Sequence, residues 1–258
     1  SAITFPYTHN QTSSFTLYAQ WSANTLTVTY DSQGGSSIAS GTTTTGGSIA
    51  SSPGTPTRSG YTFNGWFAAS SGGSAITFSY THNQTSNFTL YAQWSANSYT
   101  ITYKAGTNGS GTDLTQSFTY PGPATLKDAT AALTRTGYAI SGWSTSDGGS
   151  QNYALSASYS SASALTLYPV WSVNSYTISV SVTGSNGTIA TANSSVLYLG
   201  NTLITITPSS GYEIGTFTDN GVSAKGSLNS GSSSSTYQLS SISTDHTLVV
   251  MFSAIGNK

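Results

Sequence analysis

SAITFPYTHNQTSSFTLYAQWSAN at residues 1–24 and SAITFSYTHNQTSNFTLYAQWSAN at residues 74–97 differ only at Pro6/Ser79 and Ser14/Asn87. A near-identical block returning after 73 residues makes the chain an array of repeated units. A looser copy follows. Gly60-Tyr61-Thr62-Phe63-Asn64-Gly65-Trp66 returns as Gly137-Tyr138-Ala139-Ile140-Ser141-Gly142-Trp143, and Leu90-Tyr91-Ala92-Gln93-Trp94 returns as Leu167-Tyr168-Pro169-Val170-Trp171, both after 77 residues. The joints repeat as Trp-Ser-Ala-Asn at 21–24 and 94–97 and Trp-Ser-Val-Asn at 171–174. An alternating strand opens after each: 26–30, 99–103 and 176–180. Later, Gly211 to Phe217 and Leu248 to Phe252 hold the same places with Phe for Trp. The chain therefore divides into half a unit at 1–24 and units at 25–97, 98–174 and 175–258.

Inside a unit the period is that of a sheet. Phe88, Leu90, Ala92 and Trp94 alternate with Thr89, Tyr91 and Gln93, so one face is buried and the other wet. Trp21, Trp66, Trp94, Trp143 and Trp171, with Phe217 and Phe252 substituting in the third unit, read as structural core; Phe for Trp keeps the bulk and drops the indole N–H. Tyr61 and Phe63 share a face while Trp66 has the other parity. A bulge at Gly65, and its copy at Gly142, would reset the alternation and turn the indole inward. Asn108-Gly109, Asn186-Gly187 and Asn220-Gly221 mark tight turns. Leu126 to Leu133 is the one stretch that reads as a helix; Pro53 and Pro56 hold its place in the preceding unit to something shorter or extended. Ser227 to Ser235 reads as a flexible loop.

The order of fixed residues resembles a known family. Tyr30-Asp31-Ser32-Gln33-Gly34-Gly35, a second Gly46-Gly47, then Pro-x-x-Pro-Thr-Arg-x-Gly-Tyr-Thr-Phe-x-Gly-Trp from Pro53 to Trp66 and a closing Leu-Tyr-Ala-Gln-Trp are similar to the Listeria–Bacteroides repeat, or internalin B-repeat. The likeness is tightest over 25–97. It extends over 98–174, where Lys104-Ala105-Gly106 departs from the turn; 175–258 resembles a related bacterial surface repeat marked by Thr207-Pro208-Ser209-Ser210-Gly211-Tyr212. The resemblance implies small β-grasp-like (α+β) units in tandem, mainly β, at the bacterial cell surface or outside it. It implies a stalk, spacer, extracellular fibre or adhesin segment without catalysis. Joints of two or three residues suggest a semi-rigid rod.

Composition agrees with that class and removes others. Thirteen residues in 258 are charged, the net charge is −1, and 92 are Ser or Thr. Nucleic-acid and anionic-membrane surfaces need clustered Lys and Arg, and no apolar run has membrane-spanning length. With no cysteine there is no disulfide or thiolate site. His9, His82 and His246 are scattered; the first two read as surface-loop residues, and Asp245-His246 holds the strand-entry place of Asn87-Phe88. No nucleophile elbow, phosphate loop or recurring acid pair is present, Asp31 aligning with Lys104. No cofactor or metal is expected. Lys104, Lys127, Lys225 and Lys258 are not equivalent, so at most a single Lys–Asn crosslink could form, in unit two or three. The sequons at Asn10, Asn83, Asn87, Asn108, Asn186 and Asn193 are what chance gives in an Asn- and Thr-rich chain.

Two features carry the functional alternatives. Tyr91 and Tyr168 lie on the wet parity and are the candidate contacts to glycan or a host surface. Phe15, Leu17, Ala19 and Trp21 form a closing strand without opening or Gly-Trp strands to pair with. The missing half would precede Ser1 in a longer precursor, or a neighbouring copy would supply it by strand complementation in a homopolymer, or the segment would pack on 25–97. The partners expected are further repeats of the same protein or neighbouring copies.

Overall fold

A computed structural model describes residues 2–128, 131–231 and 233–256. Contacts gather the chain into two compact units, one of Ser1–Tyr99 with Phe118–Pro123 and Ser160–Ser163, the other of Thr100–Ser117, Ala124–Tyr159 and Ala164–Lys258.

Each repeat is organised by one sheet with the same centre. In the first, strands Gly41–Thr44, Thr25–Asp31, Phe88–Ala96 and Tyr61–Phe67 lie in that order. The opening strand Thr25–Asp31 runs parallel to the closing strand Phe88–Ala96, with Val28 opposite Phe88 and Asp31 opposite Tyr91. Parallel neighbours need a long crossover, and residues 32–87 supply it. The second repeat orders Tyr153–Ala154, Tyr138–Ser144, Leu165–Val173, Ser98–Tyr103 and Leu114–Thr119. The third orders Ser195–Leu197, Ser175–Thr183, His246–Ala254, Tyr212–Asp219 and Val222–Ser223. Its crossover contains a further sheet of Gly187–Thr191, Thr202–Pro208, Ser235–Leu239 and Asn229–Ser230.

The bulges fall where strand parity demands. Pairing with the closing strand slips between Phe63 and Gly65, between Ile140 and Gly142, and between Ile214 and Thr216. Gly65 has φ +124°, a conformation that suits glycine. Beyond each slip the aromatic turns inward: Trp66 is 1% exposed, and Trp143 and Phe217 are fully buried. Asn220 and Gly221 both have positive φ between paired Asp219 and Val222, the mark of a two-residue hairpin turn.

The fold is mainly β, and two expectations about its elements change. The stretch from Leu126 to Leu133 is not helical in its described residues: Leu126–Asp128 is irregular, Ala131–Ala132 a turn, and Leu133 begins strand Leu133–Thr134; Ala129 and Thr130 lie outside the described residues. Its backbone is occupied elsewhere. Leu126 N–H donates to the Ala157 carbonyl (2.8 Å), Lys127 N–H to the Tyr103 hydroxyl (3.0 Å), and the Lys127 carbonyl accepts the Trp143 indole N–H (2.9 Å). Buried Leu126 and Leu133 pin both ends. The serine-rich stretch is likewise more than a loop, because Asn229–Ser230 pairs with Ser235–Leu239; Ser232 lies outside the described residues.

Candidate functional site

The buried aromatics divide into anchored and packed ones. Trp66 Nε1–H donates to the Gly54 carbonyl (3.1 Å) and its ring meets Tyr30 edge-on at 5.1 Å. Trp143 repeats this with Lys127 and with Tyr103 at 4.9 Å. Phe252 is buried as well. Trp94 and Trp171 are half-buried instead of core, lying on the closing strands beyond the stretch that pairs with the opening strand. There Trp94 Nε1–H reaches the Ser32 carbonyl at 2.9 Å. Trp21 is corrected outright: it is 92% exposed, because no opening or bulged strand lies beside it in the described chain.

That exposure is shared by its neighbours. Phe15, Leu17 and Tyr18 are exposed large side chains, and residues 15–21, with Ala19, form no strand. The turn around the histidine nevertheless matches its copy. His9 stands 4.6 Å from Phe15, and His82 stands 4.8 Å from Phe88. Gln11 N–H donates to His9 Nδ1 at 3.3 Å, as Gln84 N–H does to His82 Nδ1 at 3.2 Å. Only the environment differs. His82 is 2% exposed, so its surface-loop reading is overturned: Nε2 meets the Thr43 hydroxyl at 3.0 Å, a partner His9 lacks.

The joints are built alike. Asn97 N–H donates to the Gly60 carbonyl (2.9 Å) and the Asn97 carbonyl accepts from Tyr120 N–H (3.0 Å). At the next joint Asn174 N–H donates to the Gly137 carbonyl and the Asn174 carbonyl accepts from Tyr198 N–H, both at 2.9 Å. Each tyrosine lies directly over the glycine. A Cβ on Gly60 would sit 2.3 Å from Tyr120 and one on Gly137 2.0 Å from Tyr198, whereas Gly211 in the same turn has nothing within 4 Å.

Beside the first two of these turns lies a cleft with an arginine. The Arg58 guanidinium stacks on Tyr61 at 3.9 Å and lies 6.0 Å from Trp94, in a cleft completed by Gln33, Ser70, Ser71 and Gln93. Arg135 stacks on Tyr138 at 3.7 Å in a cleft that Trp171 and Asn174 also line. A third cleft beside Ser209 and Tyr212 has neither arginine nor tryptophan. The signal available in the sequence was that both arginines occupy one repeat position. Tyr91 and Tyr168 are half-buried; Tyr91 borders a separate groove with Thr29, Asp31 and Ile38.

The titratable groups are few. His246 Nδ1 meets Asp219 at 2.8 Å, and Tyr237 O–H donates to the same carboxylate at 3.3 Å. Burial first, then the Asp219 charge, pushes the Tyr237 hydroxyl above its ordinary pKa. Asp245 serves the backbone, accepting from Thr177 N–H (2.7 Å) as Asn87 does from Thr27 N–H (2.8 Å). Among the described residues no three His, Asp or Glu side chains converge on a point that could hold a metal ion.

Sheet, bulge and joint together define a tandem, mainly β repeat protein. The pattern of the Listeria-Bacteroides repeat domain matches residues 27–93 and 99–170, and the chain belongs to that family. It is also 32% identical over 176 residues to an Evansella cellulosilytica protein named "Putative membrane protein". The match covers 67% of this chain and 26% of that protein. No helix among the described residues is long and apolar enough to cross a membrane.

Proposed function

We propose that this chain is a non-catalytic structural segment of a bacterial surface protein, a stalk or fibre element whose units are 25–97, 98–174 and 175–258. The observation that carries the reading is the joint. One asparagine per joint spends its N–H on the glycine turn before it and its carbonyl on the unit after it. An aromatic ring meanwhile occupies the space a side chain at that glycine would need. Such a connection ties each joint to the turn before it and the end of a strand after it, which suits a load-carrying array and serves no catalytic purpose. Family membership and the named membrane relative support a place at the cell surface. Antibodies against residues 25–174 should label intact, unpermeabilised cells, and the joints should resist limited proteolysis until Tyr120 and Tyr198 are both changed to Ala. Labelling only after permeabilisation, or cleavage of the unaltered joints, would sink this reading.

A further inference from the structure

We propose that the Arg58–Tyr61–Trp94 and Arg135–Tyr138–Trp171 clefts each bind one carboxylated sugar of an acidic polysaccharide. Arg58 and Arg135 are the only arginines of the chain and stand at equivalent places in a sequence that is 5% charged. The fold does not need them. In the third repeat Ser209 holds the same position, and the turn still closes with Tyr212 N–H on the Ser209 carbonyl at 3.0 Å, matching Tyr61 on Arg58 at 3.1 Å and Tyr138 on Arg135 at 3.0 Å.

Nor are the two guanidinium groups consumed locally. Among the described residues the one ion pair is His246–Asp219, and neither arginine side chain makes a hydrogen bond. Each sits over a tyrosine ring, its central carbon 3.9 Å and 3.7 Å from the ring centroid. Stacking uses the face of the guanidinium and leaves its N–H edge for a planar acceptor with two oxygens, which is a carboxylate.

The rest of the cleft favours a sugar over an acidic peptide. The Trp94 N–H is already committed to Ser32, so the ring offers its apolar surface, the surface a pyranose stacks on. Ser70, Ser71 and Gln93 supply hydroxyl and amide groups at the rim, suited to sugar hydroxyls. The Gln93 amide is itself held by the Ala69 and Gly72 carbonyls at 3.1 and 2.8 Å, which fixes its side chain in place. The second cleft keeps the arginine, tyrosine and tryptophan and takes its polar groups from Thr134, Thr136 and Asn174. Recurrence of that aromatic and arginine set suits a polymer that repeats its own carboxylate. The inference concerns ligand recognition and stands whether or not the array is a stalk.

The test titrates the full chain calorimetrically with oligogalacturonate, with the same oligomer methyl-esterified, and with an oligoglutamate peptide. Oligogalacturonate should occupy two sites per chain, more weakly as salt rises, and the methyl ester should not bind. R58Q combined with R135Q should weaken binding at least tenfold, and either change alone should leave one site. If the Gln pair loses the native circular dichroism, R58K with R135K becomes the readout; it keeps charge but loses the fork, and should bind severalfold more weakly than the unaltered chain. Equal binding of the methyl ester, arginine-independent binding, no binding at low salt, or capture of oligoglutamate alone would each overturn the proposal.

Discussion

The first and third repeats carry the same central sheet and the same bulge, yet hold the aromatic behind that bulge by different means. Trp66 is anchored: its N–H reaches the carbonyl of Gly54, which lies in an irregular stretch of the crossover and belongs to no strand. Phe217 is only packed, with Tyr237 edge-on at 5.2 Å, and its crossover is a sheet whose carbonyls are paired by neighbouring strands. Every buried carbonyl must find a donor. Where a crossover carbonyl lies outside any strand, as at Gly54, the indole supplies a donor; where the crossover is built around a four-stranded sheet, a phenyl ring suffices. Trp143, on the irregular Lys127 carbonyl, falls on the first side of that line.

The comparison breaks most visibly at the anchor. Trp66→Ala and Trp143→Ala should each cost about 3–5 kcal/mol, while Trp66→Phe, which strands the Gly54 carbonyl, should cost about 1–3 kcal/mol. Urea unfolding of each variant measures both; if Trp66→Phe proves neutral, the distinction between anchored and packed aromatics fails. A second contrast lies in the glycine turns. Gly137→Ala must displace Tyr198 and adds an overpacking cost of about 1–3 kcal/mol to the strain of a positive φ. Gly211→Ala meets open space and should lose only about 1 kcal/mol. Equal losses would mean that the tyrosine yields freely. The smallest effect is on pH. Burial raises the hydroxyl pKa of Tyr30 and Tyr103 above the ordinary 10.0, and Tyr237 is raised by burial and by Asp219. A folded-state pKa above the unfolded one favours the native neutral form. That contribution is complete below pH 10 and disappears as pH climbs through the folded values. Urea midpoints should therefore fall above pH 10, and Tyr103→Phe should flatten part of the fall.

The alternating strands and the inward turn at Gly65 were legible because both are local: parity over six residues cannot seat Phe63 and Trp66 on one face without an extra residue. What was not legible depends on partners far away in sequence. His82 looks like a loop residue because its neighbours are polar, and its burial comes from Thr43, 39 residues earlier. Trp21 has the same sequence context as Trp94 and the opposite exposure, since nothing in its own strand says whether a sheet lies beside it. Leu126 to Leu133 has helical composition, but too short a span for propensity to outweigh tertiary hydrogen bonds. The additional sheet of the third repeat did leave a trace in the alternation of Thr202, Ile204 and Ile206 with Leu203 and Thr205, all three of the former buried. The arginine clefts required folding, because Arg58 and Trp94 are 36 residues apart in the chain.

The parallel pairing of opening and closing strands has a mechanical meaning. A repeat is entered at the start of its opening strand and left at the end of its closing strand, so tension pulls these two neighbours lengthwise past each other. Bonds between them are then sheared together, instead of parting one after another as in a hairpin pulled open from its ends. The registered pairs number four in the first repeat, three in the second and six in the third, from Ile178–His246 to Thr183–Met251. Stretched from both ends, the array should therefore yield first at its middle repeat and last at its third, so that its extensibility under force is graded along its length.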